Sequence, residues 1–124
     1  MARTAAEMVA EAKSKVPSIT PEEASKLDRA LIVDVRDPLE VQASGKVPGA
    51  VNVPRGMIEF RADPSSPYHD ASFDPSRTVV LYCASGGRSA LAGAALQELG
   101  CTDVRNMGGF KDWADKGLPV EQAS

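Results

Sequence analysis

Two apolar runs dominate the pattern of this chain. Leu31-Ile32-Val33-Asp34-Val35 and Thr78-Val79-Val80-Leu81-Tyr82 are nearly continuous and rich in β-branched side chains. That pattern suits strands covered on both faces better than edge strands, which alternate apolar and polar positions. Val51-Asn52-Val53 reads as a brief strand stopped by Pro54, and Val104-Arg105-Asn106 as a last one. Helical signals fill the intervals. Thr4-Ala5-Ala6-Glu7 has capping-box spacing ahead of an apolar stripe at Met8, Val9, Ala12 and Val16, which Pro17 ends. Thr20-Pro21-Glu22-Glu23 opens a second, short helix to Leu27. A helical turn is expected over 38–42, a short helix over 56–61 and the longest helix over 88–99. Gly108-Gly109 is expected to turn the chain into a closing helix that runs through Ala114 and stops at Gly117-Leu118-Pro119. Pro64, Pro67 and Pro75, interspersed with Ser65, Ser66 and Asp70, mark a surface loop to Ser76.

Strands alternating with helices predict an α/β fold, a parallel sheet with helices on both faces, and in such sheets ligands bind at the carboxyl ends of the strands. Cys83 directly follows the second long run, and Ala84-Ser85-Gly86-Gly87-Arg88-Ser89 leads from it into the longest helix. The two glycines allow a tight turn around the sulfur, and the helix presents unpaired N–H groups and the positive end of its dipole there. A thiol so placed is acidified and becomes a nucleophile. Arg88, a cation in the first turn of a helix, opposes the dipole, which suggests that it either holds the loop carbonyls or grips an oxyanion. Ser85 and Ser89 offer hydroxyls to the same anion or serve as caps.

At 124 residues, the chain is sized for one compact domain. It divides into an N-terminal helical extension, 1–17, and a single domain, 18–124. A net charge of −3 argues against nucleic acid or an anionic membrane as partner and leaves a small molecule. Glu7 and Glu11 interrupt the only stretch that could resemble a secretory signal. Two cysteines, Cys83 and Cys101, are too few for a disulfide framework, and a reducing, cytoplasmic location is expected. A bridge between them would have to span the long helix, about 18 Å for twelve residues. His69, the sole histidine, lies in the proline-rich loop, so no Cys–His pair and no metal site is expected.

The chain also carries motifs in a characteristic order: Asp34-Val35-Arg36-Asp37, Gly45-Lys46-Val47-Pro48-Gly49-Ala50-Val51-Asn52-Val53-Pro54, Tyr82-Cys83-Ala84-Ser85-Gly86-Gly87-Arg88-Ser89, Met107-Gly108-Gly109-Phe110-Lys111-Asp112-Trp113, and Gly117-Leu118-Pro119-Val120. Together these resemble the rhodanese domain over about Ile19 to Val120. The resemblance implies a rhodanese-like fold with a five-stranded parallel sheet, and a sulfurtransferase that moves a sulfane sulfur through a persulfide on Cys83. The donor would be a molecule such as thiosulfate and the acceptor cyanide or a thiol, including a protein thiol. The backbone from Ala84 to Ser89 would hold the anion, with no metal or organic cofactor.

Loop length separates the rivals. Four residues lie between Cys83 and Arg88, whereas phosphatases and arsenate reductases of similar fold have a C-x5-R loop, so phosphoryl or arsenate chemistry is the runner-up. A non-catalytic binding module is the third reading. Asp34 and Arg36 are expected to form a bracing ion pair. Phe110 and Trp113 read as core anchors, and Cys101 as a packing residue or, less simply, a resolving thiol. Lys46 stands where the family commonly has histidine. The loop over 62–76 is expected to help choose donor and acceptor.

Overall fold

The computed structural model describes residues 2–123; Met1 and Ser124, the ends of the expected 1–17 and 18–124 spans, lie outside them. Four strands, β1 (Leu31–Asp34), β2 (Val51–Asn52), β3 (Val79–Cys83) and β4 (Val104–Gly109), form one sheet in the order β2-β1-β3-β4. All pairings are parallel, with Val33 opposite Val51, Leu31 opposite Val79 and Val79 opposite Val104. The two continuous apolar runs are thus the two central strands. Both have a strand on either side and helices over both faces, which is why they carry so few polar residues.

Six helices cover the sheet: α1 (Ala5–Lys15), α2 (Pro21–Ser25), α3 (Pro38–Ser44), α4 (Ile58–Ala62), α5 (Gly87–Glu98) and α6 (Phe110–Asp115). The capping boxes at Thr4 and Thr20 both form, each threonine hydroxyl accepting from the N–H of the glutamate three residues on. All five residues of β3 are buried, and they alternate between two apolar clusters. Val79, Leu81 and Cys83 join Val16, Ile58, Ala92 and Leu96 on the side of α4 and α5, while Val80 and Tyr82 pack with Ala24, Met107, Phe110 and Trp113 beside α2 and α6. The alternation places the Cys83 sulfur on the α5 side. α1 lies against α5, with the Val16 side chain seated where Gly93 leaves room.

The sheet has four strands, not the expected five. Beside β4, where a fifth would lie, Ser18 makes a single parallel bridge to Asn106. The Asn106 N–H donates to the Pro17 carbonyl at 2.8 Å and the Ile19 N–H donates to the Asn106 carbonyl at 3.1 Å. Pro17 has no N–H to extend the ladder, and the Thr20 cap turns the chain at once into α2. Gly108-Gly109 lead into α6 as expected, with Gly109 at its N-cap, and they also end β4. They pair with Tyr82 and Cys83 after a bulge at Met107.

Candidate active site

Cys83 ends β3 with 1% of its surface exposed, and the loop to α5 curls over its sulfur. Ala84 and Ser85 are exposed, while Gly86 is buried. Gly86 caps α5 at φ +102°, in the left-handed region where a side chain is strained and glycine is not. That backbone turn lets the Gly86 N–H donate to Cys83 Sγ at 3.0 Å. Ser89, fully buried in the first turn of α5, brings its Oγ to 3.5 Å from the sulfur. Burial pushes the thiol up, but the Ser89 hydroxyl and the N–H groups of Ser89, Gly86 and Ser85 outweigh it. The net result lies below the ordinary thiol value. The end of a helix and its turn thus favour an anion on this sulfur.

The second wall of the site is β4. A Cβ built on Gly109 would meet the Ala84 carbonyl oxygen at 2.5 Å and the Ser85 Cα at 3.4 Å. Glycine there lets the loop lie directly on the strand. The sequence reading missed this use of the glycine pair, and it missed Asn106 as well. Asn106 is buried; its Oδ1 accepts from Ser89 Oγ at 2.7 Å, and its Nδ2 donates to the Gly86 carbonyl at 3.3 Å. An amide between Arg105 and Met107, two residues before the glycine pair, was the only available signal.

Arg88 does not hold the loop carbonyls. Its Nη1 and Nη2 donate to Glu40 Oε2 and Oε1 at 2.7 and 2.9 Å, joining α5 to α3 through a partly exposed bidentate pair. Glu40 Oε2 also accepts from the Asp37 N–H at 2.9 Å. Arg88 first and the Asp37 N–H second hold the Glu40 carboxyl down to about 2. Glu40 pulls the Arg88 guanidinium further up, and the Cys83 sulfur acts on it in the same direction. Nothing in the local spacing at Glu40 points to a partner 48 positions ahead.

Asp34 and Arg36 form a buried brace beneath the site. Arg36 Nη2 donates to Asp34 Oδ2 at 2.7 Å and to the Gly45 carbonyl at 2.8 Å, and its Nη1 donates to Ser44 Oγ at 2.6 Å. The guanidinium stacks over the Phe110 ring at 4.6 Å. Every direction of the fork is therefore used in tying β1 to the turn after α3. His69 is exposed in the 62–76 loop. Cys101 is a buried free thiol pushed up by burial and by Asp74. No helix among the described residues is long and apolar enough to cross a membrane.

Fold and site together define a parallel α/β domain with a buried, hydrogen-bonded cysteine at the carboxyl end of a central strand. Comparison with known proteins gives the same class. The family model for the rhodanese-like domain matches residues 20–116, and the chain belongs to that family. It is 38% identical over 91 residues to a sulfurtransferase of Allochromatium vinosum, covering 73% of this chain and 77% of that one. The polysulfide-sulfur transferase homodimer of Wolinella succinogenes superposes with a TM-score of 0.76 at 33% identity, over 95% of this chain and 87% of the other. A protein of unknown function from Rhodopseudomonas palustris, described as a possible tyrosine phosphatase, superposes with a TM-score of 0.91 at 40% identity, over 98% and 96%. The named transferases support sulfur transfer as the general activity.

Proposed function

We propose that this chain is a sulfurtransferase that carries sulfane sulfur as a persulfide on Cys83. In the loading step the Cys83 thiolate attacks the outer sulfur of a donor such as thiosulfate. A new S–S bond forms, the donor's S–S bond breaks, and sulfite leaves with the electron pair. In the unloading step an anion such as cyanide, or a small or protein thiol in its thiolate form, attacks the terminal sulfur; the S–S bond to Cys83 breaks and Cys83 leaves as the thiolate. This is two-step covalent catalysis. Neither step requires a general base, because each nucleophile attacks as an anion and each leaving group departs as one, and the turn from Ala84 to Ser89 stabilises the Cys83 thiolate through hydrogen bonds. A reducing compartment such as the cytoplasm would keep Cys83 available.

The observation that carries this reading is the short contact from the Gly86 N–H to a buried sulfur, in a loop with four residues between Cys83 and Arg88. The test is to weigh the intact protein after incubation with thiosulfate. One added sulfur atom is expected, removed by cyanide as thiocyanate and absent from Cys83→Ser. No adduct on the wild-type chain overturns the proposal.

The Rhodopseudomonas relative gives a reason to keep phosphate-ester hydrolysis as a second reading. Two features weigh against it. The loop is one residue shorter than C-x5-R, and the Arg88 fork that would grip a phosphoryl group is occupied by Glu40. Turnover of an aryl phosphate at a rate comparable to sulfur transfer would reverse the order.

A further inference from the structure

Ser89 touches the Cys83 sulfur, and Asn106 touches Ser89. Among the described residues these two share the status of buried polar side chains with the Asp34–Arg36 pair alone. The Asn106 amide is fixed by two backbone groups: Oδ1 accepts from the Gly108 N–H at 3.0 Å, and Nδ2 donates to the Gly86 carbonyl at 3.3 Å. Turned over, it would set N–H against N–H and oxygen against oxygen. An acceptor therefore has to face Ser89.

Ser89 Oγ and Asn106 Oδ1 are 2.7 Å apart. Two oxygens that close share a proton, and only the serine has one. The hydroxyl proton accordingly lies toward Asn106 here and a serine lone pair lies toward Sγ, 3.5 Å away. This suits a protonated sulfur, whose own S–H can donate to Ser89. A thiolate needs the opposite orientation.

We propose that Asn106 is a positioning residue for Cys83, giving the Ser89 proton a second resting place. The hydroxyl turns onto Sγ when the sulfur is a thiolate, and back onto Asn106 Oδ1 when the sulfur is protonated or bonded to a transferred group. The part concerning the transferred group rests on the sulfur-transfer reading; the part concerning the thiol does not. Ser89 keeps its proton throughout, and no bond other than hydrogen bonds changes at Ser89 or Asn106. As the thiolate attacks and loses its charge, the serine gives up one partner and gains another. When Sγ leaves in the second step the exchange reverses. A buried donor is thereby never left without an acceptor in either state.

The experiment measures the alkylation rate of Cys83 by iodoacetamide against pH, read from the mass of the Cys83 peptide. Removing the acceptor with Asn106→Leu leaves the serine proton to the thiolate alone. The midpoint of the profile is expected to fall by about one pH unit, a tenfold change in thiolate fraction, and the plateau rate to fall with it. Strengthening the acceptor with Asn106→Asp should raise the midpoint, as should Ser89→Ala. Adding Asn106→Leu to Ser89→Ala should move nothing further. Arg88 of α5, paired with Glu40 of α3, is the charge that acts on Cys83, and every variant leaves it in place. A merely structural asparagine would give shifts of one sign in both Asn106 variants, or a leucine shift that persists without Ser89; either result overturns the proposal. If Asn106→Leu does not fold, the aspartate variant carries the test: its shift should be larger with Ser89 present than in the Ser89→Ala background, and equal shifts overturn it. Alkylation needs no sulfur donor, so a chain that alkylates as expected but takes up no sulfur sinks the transferase reading and leaves this one standing.

Discussion

Cys83 and Cys101 bracket the same helix, α5, and both are hidden from solvent, at 1% and 6% exposure. Their acidities nevertheless move in opposite directions. Ahead of the helix, the N–H groups of Ser85, Gly86 and Ser89 and the Ser89 hydroxyl overcome burial and hold Cys83 below the ordinary thiol value. Behind the helix, Cys101 meets its other end: its own N–H is spent on the Leu96 carbonyl at 3.0 Å. Burial and the Asp74 charge then push its thiol up. Burial alone makes a cysteine inert, and the direction in which the backbone points its donors is what separates a nucleophile from a packing residue.

The largest effect that separates the two thiols is chemical. Cys83→Ser is expected to abolish sulfur uptake from thiosulfate, since an alcohol oxygen cannot form the persulfide, while Cys101→Ala should load fully. Intact mass after incubation reads both, and loading that followed Cys101 would invert the comparison. The same contrast should show in the unmodified protein, where alkylation at neutral pH is expected to label Cys83 well before Cys101.

Next in size is the strand that supports the Cys83 side of α5. Gly109→Ala places a methyl group 2.5 Å from the Ala84 carbonyl oxygen, so the loop has to move by about 1 Å to reach ordinary contact. A displacement of that order costs up to about a hundredfold in rate when it misplaces reacting groups. The variant should lose sulfur transfer by ten- to a hundredfold on that scale, with a raised Cys83 alkylation midpoint. Rates equal to the wild type would show that the loop does not depend on the close approach of β4.

How much of this was legible in the sequence follows from the range of the interactions. The central strands, the helix after Cys83 and the two threonine caps depend on neighbours a few positions apart, and the local pattern shows them. The fifth strand depends on whether Ser18 can extend a ladder begun by Asn106, a pairing across the chain that Pro17 curtails. Arg88 was placed correctly at the start of α5, yet its partner Glu40 lies on another helix. The turn at Gly108-Gly109 was legible, but not the loop that lies on Gly109, because glycine has no local way to signal that another backbone presses on it. The Asp34–Arg36 brace was legible as a pair, its hold on Ser44 and Gly45 was not.

A smaller effect concerns stability against pH. Cys83 is depressed in the fold, so its contribution is fully present above the unfolded thiol value of about 8.5 and is lost as pH falls through the folded value. Cys101 is raised, so the fold keeps its proton after the unfolded chain has released it. It therefore costs stability as pH rises through about 8.5. The two windows meet at about 8.5: stability rises toward it through Cys83 and falls beyond it through Cys101. Urea midpoints should gain less from about pH 7 to 8.5 in Cys83→Ser than in the wild type, and fall less steeply from about pH 8.5 to 10 in Cys101→Ala. Identical slopes in all three proteins would mean that neither fold position perturbs its thiol.

The smallest expected effect tests whether the Cys83 end of α5 needs its cation for chemistry or only for bracing. Glu40 is held down to about 2, so its pairing with Arg88 stabilises the fold above the unfolded carboxyl value and is lost as pH falls from there toward 2. Both partners are about a third exposed, at 35% and 37%, which limits the pair to the range of surface ion pairs, about 0.5 kcal/mol. Glu40→Gln should cost that much at neutral pH and nothing near the acid limit. The same substitution frees the Arg88 fork from its carboxylate partner. If the fork can then meet an anionic donor, KM for thiosulfate falls while kcat stays near the wild-type value, since a contact made equally to bound donor and transition state changes binding alone. An unchanged KM would assign Arg88 to bracing, and leave the Cys83 anion to the backbone donors and Ser89 that distinguish it from Cys101.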